Sequence, residues 1–203
     1  MKTTLLSIFT ALVLTAGIAN VTNAATPAAN QNVTVLTGIS AINKIEVHGN
    51  VELYISDGSA DEVKVYNKYY AESALVQTRN GVLSISSYKT EKLVVWVTAF
   101  DLRSVSAYDN AEVKSFGNIS KIEFKVDLHN QASAKLNLDA FTADITVNDE
   151  AKANLSGNVN DYTLKYNRLE NIDQKNFTAQ HESQIATTIT MVKKAAIDDL
   201  ADL

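Results

Sequence analysis

Asp109, Asn130 and Asp149 stand 21 and 19 residues apart, and each is followed two residues later by an alanine: Ala111, Ala132 and Ala151. Two carboxylates and an amide at a regular interval are oxygen donors. Such a set holds a cation such as Ca²⁺, or bonds the backbone at a repeated turn. The Gly- and Asp-rich nonapeptide of calcium-binding repeats is absent, so the column is read as structural. His48 and His129 each come one residue before such a turn, the spacing that would put a zinc pair in one column if the units stack. Tyr66, Tyr69 and Tyr70 crowd together in "VYNKYYAES", with Tyr88 and Tyr108 elsewhere. Tyrosines on a flat sheet face stack on sugar rings or pack at a protein interface.

Covalent chemistry finds little support. The chain has no cysteine, which removes disulfides, thiolate metal sites and cysteine nucleophiles. Arginine occurs only at Arg79, Arg103 and Arg168, and no pair of acids is singled out by spacing as a glycosidase pair would be. No serine lies in a G-x-S-x-G elbow, and no glycine loop would cradle a phosphate. The expectation is a non-enzymatic protein without cofactor or metal.

The elements that position these residues follow from periodicity. In "FKVDLHNQASAKLNL" (residues 124–138) the apolar residues fall on even numbers straight through a polar turn. "VSAYDNAEV" and "ITVNDEAKANL" share this layout, and "YTLKYNRLENI" is a degraded fourth copy, with Arg168 at the turn. "IEVHGNVELYI" is an earlier relative, with Gly49 at the turn. Strict alternation predicts half-buried strands. A repeat near 20 residues suits one coil of a β-solenoid, two strands joined by the polar–polar–Ala corner, with a second corner at "LDAF" or "FGN". Parity aims Asp109, Asn130 and Asp149 towards the core. "EKLVVWVTAF" is apolar almost throughout and reads as a strand buried on both faces. "DGSADE" and "RNG" read as turns.

The ends differ. Met1-Lys2, an apolar run over residues 5–18 and small residues up to Ala24 predict a signal peptide over residues 1–24. The run is short for a membrane span of about 20 residues. An extended leader over residues 25–38 precedes the domain, residues 39–180. Ile185, Ile189, Val192, Ala196 and Leu200 form a helical stripe, so the tail over residues 181–203 reads as a helix capping the last coil. Removing residues 1–24 removes one charge, Lys2, and moves the formal net charge from −5 to −6. That balance argues against nucleic acid or an anionic membrane as partner. The exported chain should not insert into a membrane.

"INKIEVHGNVELYISDGSADEVKVY" (residues 42–66) resembles the opening of the GIN domain, the putative auto-transporter adhesin head domain. "GVLSIS" is similar to that family's G-x-L-x-I strand, and "VVWVTAFDLRSVSA" to its following strand and x-L-x-x-L-x-V stretch. The likeness spans residues 39–175. It implies an all-β, right-handed β-helix-like solenoid in an exported, Bacteroidota-type protein of the cell envelope, with an adhesin role and no established catalytic residues. The corners depart from the family's Ser-Gly-Ser-Gly: here they are "AYDNA", "LHNQA" and "VNDEA". The usual Pro before Leu102 is absent, as is the aromatic–Gly–Asn–Pro ending. The function expected is adhesion or envelope interaction, with an unidentified envelope protein or glycan as partner. The alternative is a periplasmic carbohydrate-binding or carbohydrate-active protein.

Overall fold

A computed structural model describes residues 33–37, 39, 41–66 and 74–187. Residues 1–24, where a signal peptide is expected, the rest of the chain before Val33, and residues 188–203 lie outside the described residues. The described chain is all-β and forms a 13-stranded sheet. Its strands are β1 (Val33–Leu36), β2 (Lys44–Gly49), β3 (Val51–Asp57), β4 (Glu62–Tyr66), β5 (Ala74–Arg79), β6 (Val82–Ser87) and β7 (Leu93–Ala99). There follow β8 (Ser104–Ala107), β9 (Glu112–Ser115), β10 (Ile119–Leu128), β11 (Ser133–Val147), β12 (Lys152–Tyr166) and β13 (Ile172–Ala186).

The 20-residue spacing appears as parallel pairing. β10 pairs β11 with Val126 opposite Ile145, and β11 pairs β12 with Ala134 opposite Ala153. β12 pairs β13 in the same sense, with a register shift between Asn154 and Ser156. Alternate side chains of β2 to β4 and β6 to β12 are buried and join one apolar cluster, against which Ile172, Phe177 and Ala179 of β13 pack partly buried. The second corner is not a break in β11. Inward residues are even-numbered through Ala140 and odd-numbered from Ala143, so the chain switches parity within one strand while Phe141 stands exposed. "FGN" does break the chain, between β9 and β10, with Gly117 at φ 83°.

The stacking order is not the sequence order. β2 lies between β6 and β8, and β3 lies between β7 and β9. The unit carrying β6 and β7 therefore stacks outside the earlier unit carrying β2 and β3. β4 and β5 then pair antiparallel with β7 and β6, and β1 pairs antiparallel with β4. The β5–β6 hairpin turns at Asn80-Gly81, both at positive φ, which is the two-residue turn that matches strand twist.

Three expectations change. "EKLVVWVTAF" is buried on one face only: β7 alternates buried with half-exposed, because its outward Val94, Trp96 and Thr98 face away from the apolar cluster. Residues 181–186 of the expected helical tail lie in β13, held by in-register pairing with β12; the rest of that stripe lies outside the described residues. Arg168 does not continue the corner column. Its φ is −135°, and a 3₁₀ turn at Leu169–Asn171 takes the corner's place.

Candidate functional site

The corner column and the tyrosine cluster lie in different places. Asp109, Asn130 and Asp149 have φ values of 60°, 58° and 55°. Each is the second residue of a turn closed by an alanine N–H. Ala111 donates to Tyr108 O at 3.2 Å, Ala132 to His129 O at 3.1 Å and Ala151 to Asn148 O at 3.0 Å. Asn and Asp tolerate positive φ better than other residues with a Cβ, which accounts for their presence.

The side chains do not enter the core as parity implied. Asn130 and Asp149 are exposed and Asp109 is half-buried, because the left-handed residue breaks the alternation at the turn. Each carboxylate or amide oxygen instead accepts an N–H from the turn of the preceding unit. Gly49 N donates to Asp109 Oδ2 at 3.1 Å, Asp109 N to Asn130 Oδ1 at 3.2 Å, and Asn130 N to Asp149 Oδ2 at 2.9 Å. Gly49, at φ 80°, is thus the first member of the column. A Cβ there would meet Ser87 O at 2.1 Å, so no larger residue fits. One oxygen of each of Asp109, Asn130 and Asp149 is thus engaged by a backbone donor.

His48 and His129 do share a column, with Tyr108 between them. The His48 and Tyr108 rings stack at 4.5 Å, and those of Tyr108 and His129 at 4.8 Å. The two imidazoles are two rungs apart, about 9–10 Å, so they cannot ligate one zinc ion at the ~2 Å that the metal requires. Asn148 continues the column, 3.4 Å from His129 Nδ1.

The aromatic surface lies on the outer side of the β4–β7–β3–β9 ladder. Strand pairing sets Tyr54 opposite Trp96 on one side and opposite Lys114 on the other. The Tyr54 and Trp96 rings stack at 4.7 Å with 21° between planes. Tyr66 lies 6.3 Å from Trp96, and Phe116 lies 5.1 Å from it, both tilted. Phe116 is 61% exposed, while Tyr54, Tyr66 and Trp96 are half-buried. Side chains at alternate positions of neighbouring strands meet on one face, so three rings from β4, β7 and β3, with Phe116 just past the end of β9, form a strip. Tyr66 is the member of the sequence cluster found here; Tyr69 and Tyr70 lie outside the described residues. Trp96, Tyr54 and Phe116 were missed. Their signal was the alternation in "VELYISD" and "LVVWVTA", obscured because "LVVW" is apolar at every position.

Charged groups fix the strip's edge. Tyr54 OH donates to Glu52 Oε1 at 2.8 Å. The Lys114 ammonium bonds Glu52, reaches Glu112 at 3.1 Å and stands 5.7 Å over the Tyr54 ring. Lys92 bonds Glu112. The Lys114 bond holds the Glu52 carboxyl below the usual carboxylate range, and the Lys92 bond does the same for Glu112. Glu52 in turn pushes the Lys114 ammonium well above its ordinary value and raises the Tyr54 phenol. The network holds Tyr54 in its stacked position. Among the described residues, no three histidine, aspartate or glutamate side chains are grouped to hold a metal. The arrangement sets flat apolar rings beside fixed polar groups.

No curated protein matches the chain. Solved structures do. A putative adhesin from Parabacteroides merdae is 17% identical, with a TM-score of 0.55, covering 77% of this chain and 77% of its own. One from Parabacteroides distasonis is 13% identical, with a TM-score of 0.53, covering 76% of this chain and 78% of its own. One from Bacteroides fragilis is 10% identical, with a TM-score of 0.50, covering 79% of this chain and 98% of its own. At these identities the likeness is one of fold. The family model described as "Putative auto-transporter adhesin, head GIN domain" matches residues 41–193, and with that span the chain belongs to the GIN domain family.

Proposed function

We propose that this chain is an exported, non-enzymatic recognition module of the cell envelope, adhesin-like, whose contact surface is the strip Tyr66–Trp96–Tyr54–Phe116. The observation that carries the reading is that strip: four rings, stacked or tilted at 4.7–6.3 Å, kept at the surface. Such rings offer flat apolar area with little side-chain entropy to lose on binding, suited to sugar rings or to the aromatic centre of a protein contact. Tyr69 and Tyr70, three and four residues on from Tyr66 in sequence, are further candidates for ligand contact. The parallel register of 19–21 residues supports a right-handed solenoid of about 20-residue coils as the scaffold. Asp109, Asn130 and Asp149 serve in it as corner residues. Family membership and the leader-like residues 1–24 support an exported chain, periplasmic or at the cell surface.

The test is a glycan array and an envelope-fraction pull-down with residues 25–203, repeated with Tyr54→Ser and Phe116→Ser together. The reading expects glycan binding that falls at least about tenfold, a loss of ~1.4 kcal/mol, with an unchanged circular dichroism spectrum. One envelope protein recovered equally by both versions, with no glycan bound, would favour a structural partner and remove the strip from the function. Turnover of any polysaccharide would contradict the non-enzymatic reading.

A further inference from the structure

Beyond the aromatic strip, the same outer face changes character. Along one row, strand pairing places Trp96, Tyr54, Lys114, Lys135, Asn154 and Asp173 on successive strands, about 4.8 Å apart. In the next row Glu52, Glu112, Ser133 and Lys152 follow one another. A groove of about 310 Å³ opens over Lys114, Lys135, Lys152 and Asn154. A second, of about 530 Å³, adjoins it through Ser133, Lys152 and Asn171 and reaches Arg168.

Lys44, Lys64, Lys92, Arg103, Lys114, Lys121 and Lys125 each form an ion pair. Lys135, Lys152 and Arg168 have no ion pair among the described residues, and all three are exposed. Among the described residues Arg79, Lys89, Lys165 and Lys175 are likewise without an ion pair, but they do not line these grooves, whereas Lys135, Lys152 and Arg168 do. Two acids stand on the rim: Glu150 by the larger groove, and Asp173 by the smaller, where its Oδ1 accepts the Lys175 N–H at 3.2 Å. The chain as a whole carries −5, so grooves lined by Lys114, Lys135, Lys152 and Arg168 against Glu150 and Asp173 run against the molecule's charge, although Lys114 is already paired with Glu52 and Glu112. Amide and hydroxyl groups of Asn154, Asn171 and Ser133 lie between the cations.

We propose that this groove binds the acidic sugars of an anionic polysaccharide, whose neighbouring sugar rings lie over Trp96 and Tyr54. The inference rests on the recognition reading above and names its ligand class. Rings that stack on sugars and cations that pair with carboxylates occupy one row, so an extended polymer crossing the strands meets both. Nucleic acid is disfavoured by the net negative charge and the scarcity of arginine.

The experiment titrates polygalacturonate and hyaluronan, and a carboxyl-reduced, neutral form of the first, into the chain recovered after export, at low and high salt. It is repeated with Lys135→Gln, Lys152→Gln and Arg168→Gln combined, and separately with Tyr54→Ser. Inorganic phosphate is titrated as the free-anion control. The proposal expects an acidic polymer to bind at least tenfold more tightly than the neutral form, with an affinity that falls as salt rises. The triple variant should lose that preference while keeping its melting temperature, and phosphate alone should bind negligibly. Equal binding of acidic and neutral forms, unaffected by the triple variant but weakened by Tyr54→Ser, would overturn the acidic-ligand proposal and leave the aromatic reading standing. Failure of both acidic polymers to bind would overturn it as well. Phosphate binding as strong as polymer binding would reduce the groove to a simple anion site.

Discussion

A single backbone angle explains the corner residues better than burial does. Asn130, at φ 58°, occupies a conformation that costs most residues about 1–2 kcal/mol. Its exposed amide oxygen accepts the Asp109 N–H. Asn130→Gly keeps the angle at no strain and should leave stability within about 0.5 kcal/mol, whereas Asn130→Ala should cost about 1 kcal/mol more than the glycine variant. Equal melting temperatures for the two would mean that the angle does not select the residue. The sequence showed the interval and the residue types, and so the turn. It did not show the side chain's direction, because parity counts residues and a positive φ in the turn breaks the count. Lys114 supplies a second residue-scale prediction. The Glu52 and Glu112 carboxyls titrate below their ordinary value near 4.5 in the folded chain. Their stabilisation is therefore complete above that ordinary value and is lost as pH falls through the lowered folded values. Lys114→Met should lower the melting temperature most at pH 7, by at most about 1 kcal/mol for such half-exposed pairs. The gap to the unaltered chain should close as pH falls through those lowered values; a gap independent of pH would assign the loss to packing against Tyr54.

At the scale of the strand, β12 and β13 show how the core ends. Inward positions carry Ala143, Ile145 and Val147 in β11, Tyr162, Leu164 and Tyr166 in β12, and Glu182, Gln184 and Ala186 opposite them in β13. The change from apolar to polar closes the core, and Gln184 Nε2 donates to Glu182 Oε1 at 2.7 Å. Tyr162 is 2% exposed, packs edge-on against Phe177 at 4.8 Å, and its hydroxyl has no hydrogen-bond partner among the described residues. Burial pushes that phenol well above its ordinary value. An unpaired buried hydroxyl costs about 1–3 kcal/mol. Tyr162→Phe should therefore raise the melting temperature or leave it unchanged, and a clear drop would reveal a partner for the hydroxyl. The strands of the regular half, β10 to β12, were legible because alternation and interval agree there. β13 was not: its apolar Ile172 and Phe177 fall on opposite parities across the register shift, and its inward Glu182 and Gln184 are polar, so residues 172–186 lack the alternation that marks a strand.

Across the molecule, the full aromatic strip depends on an order that the sequence conceals. Tyr54 and Trp96 are 42 residues apart, yet they stack because β7 pairs β3. A reading that stacks units in chain order also sets β7 beside β3, but it seats β7 between β3 and β9, which leaves no edge for β4 and so removes Tyr66 from Trp96 and Lys114 from Tyr54. The interval from 109 to 149 describes the regular half, and the antiparallel strands β1, β4 and β5 interrupt it in the other. Composition indicated a chain with a single large core and no cysteine chemistry, and the GIN resemblance indicated the family. The position of the aromatic strip came only from the fold. Trp96 is the only tryptophan in the chain and lies at the centre of the strip, so its fluorescence reports on the proposed face alone. The most direct measurement is a titration of the polysaccharide selected on the array, following Trp96 emission and its quenching by acrylamide. The account predicts a saturable spectral change with protection from the quencher, at the same midpoint as binding measured by calorimetry. Calorimetric binding that leaves Trp96 emission and quenching untouched would place the ligand elsewhere and contradict the account.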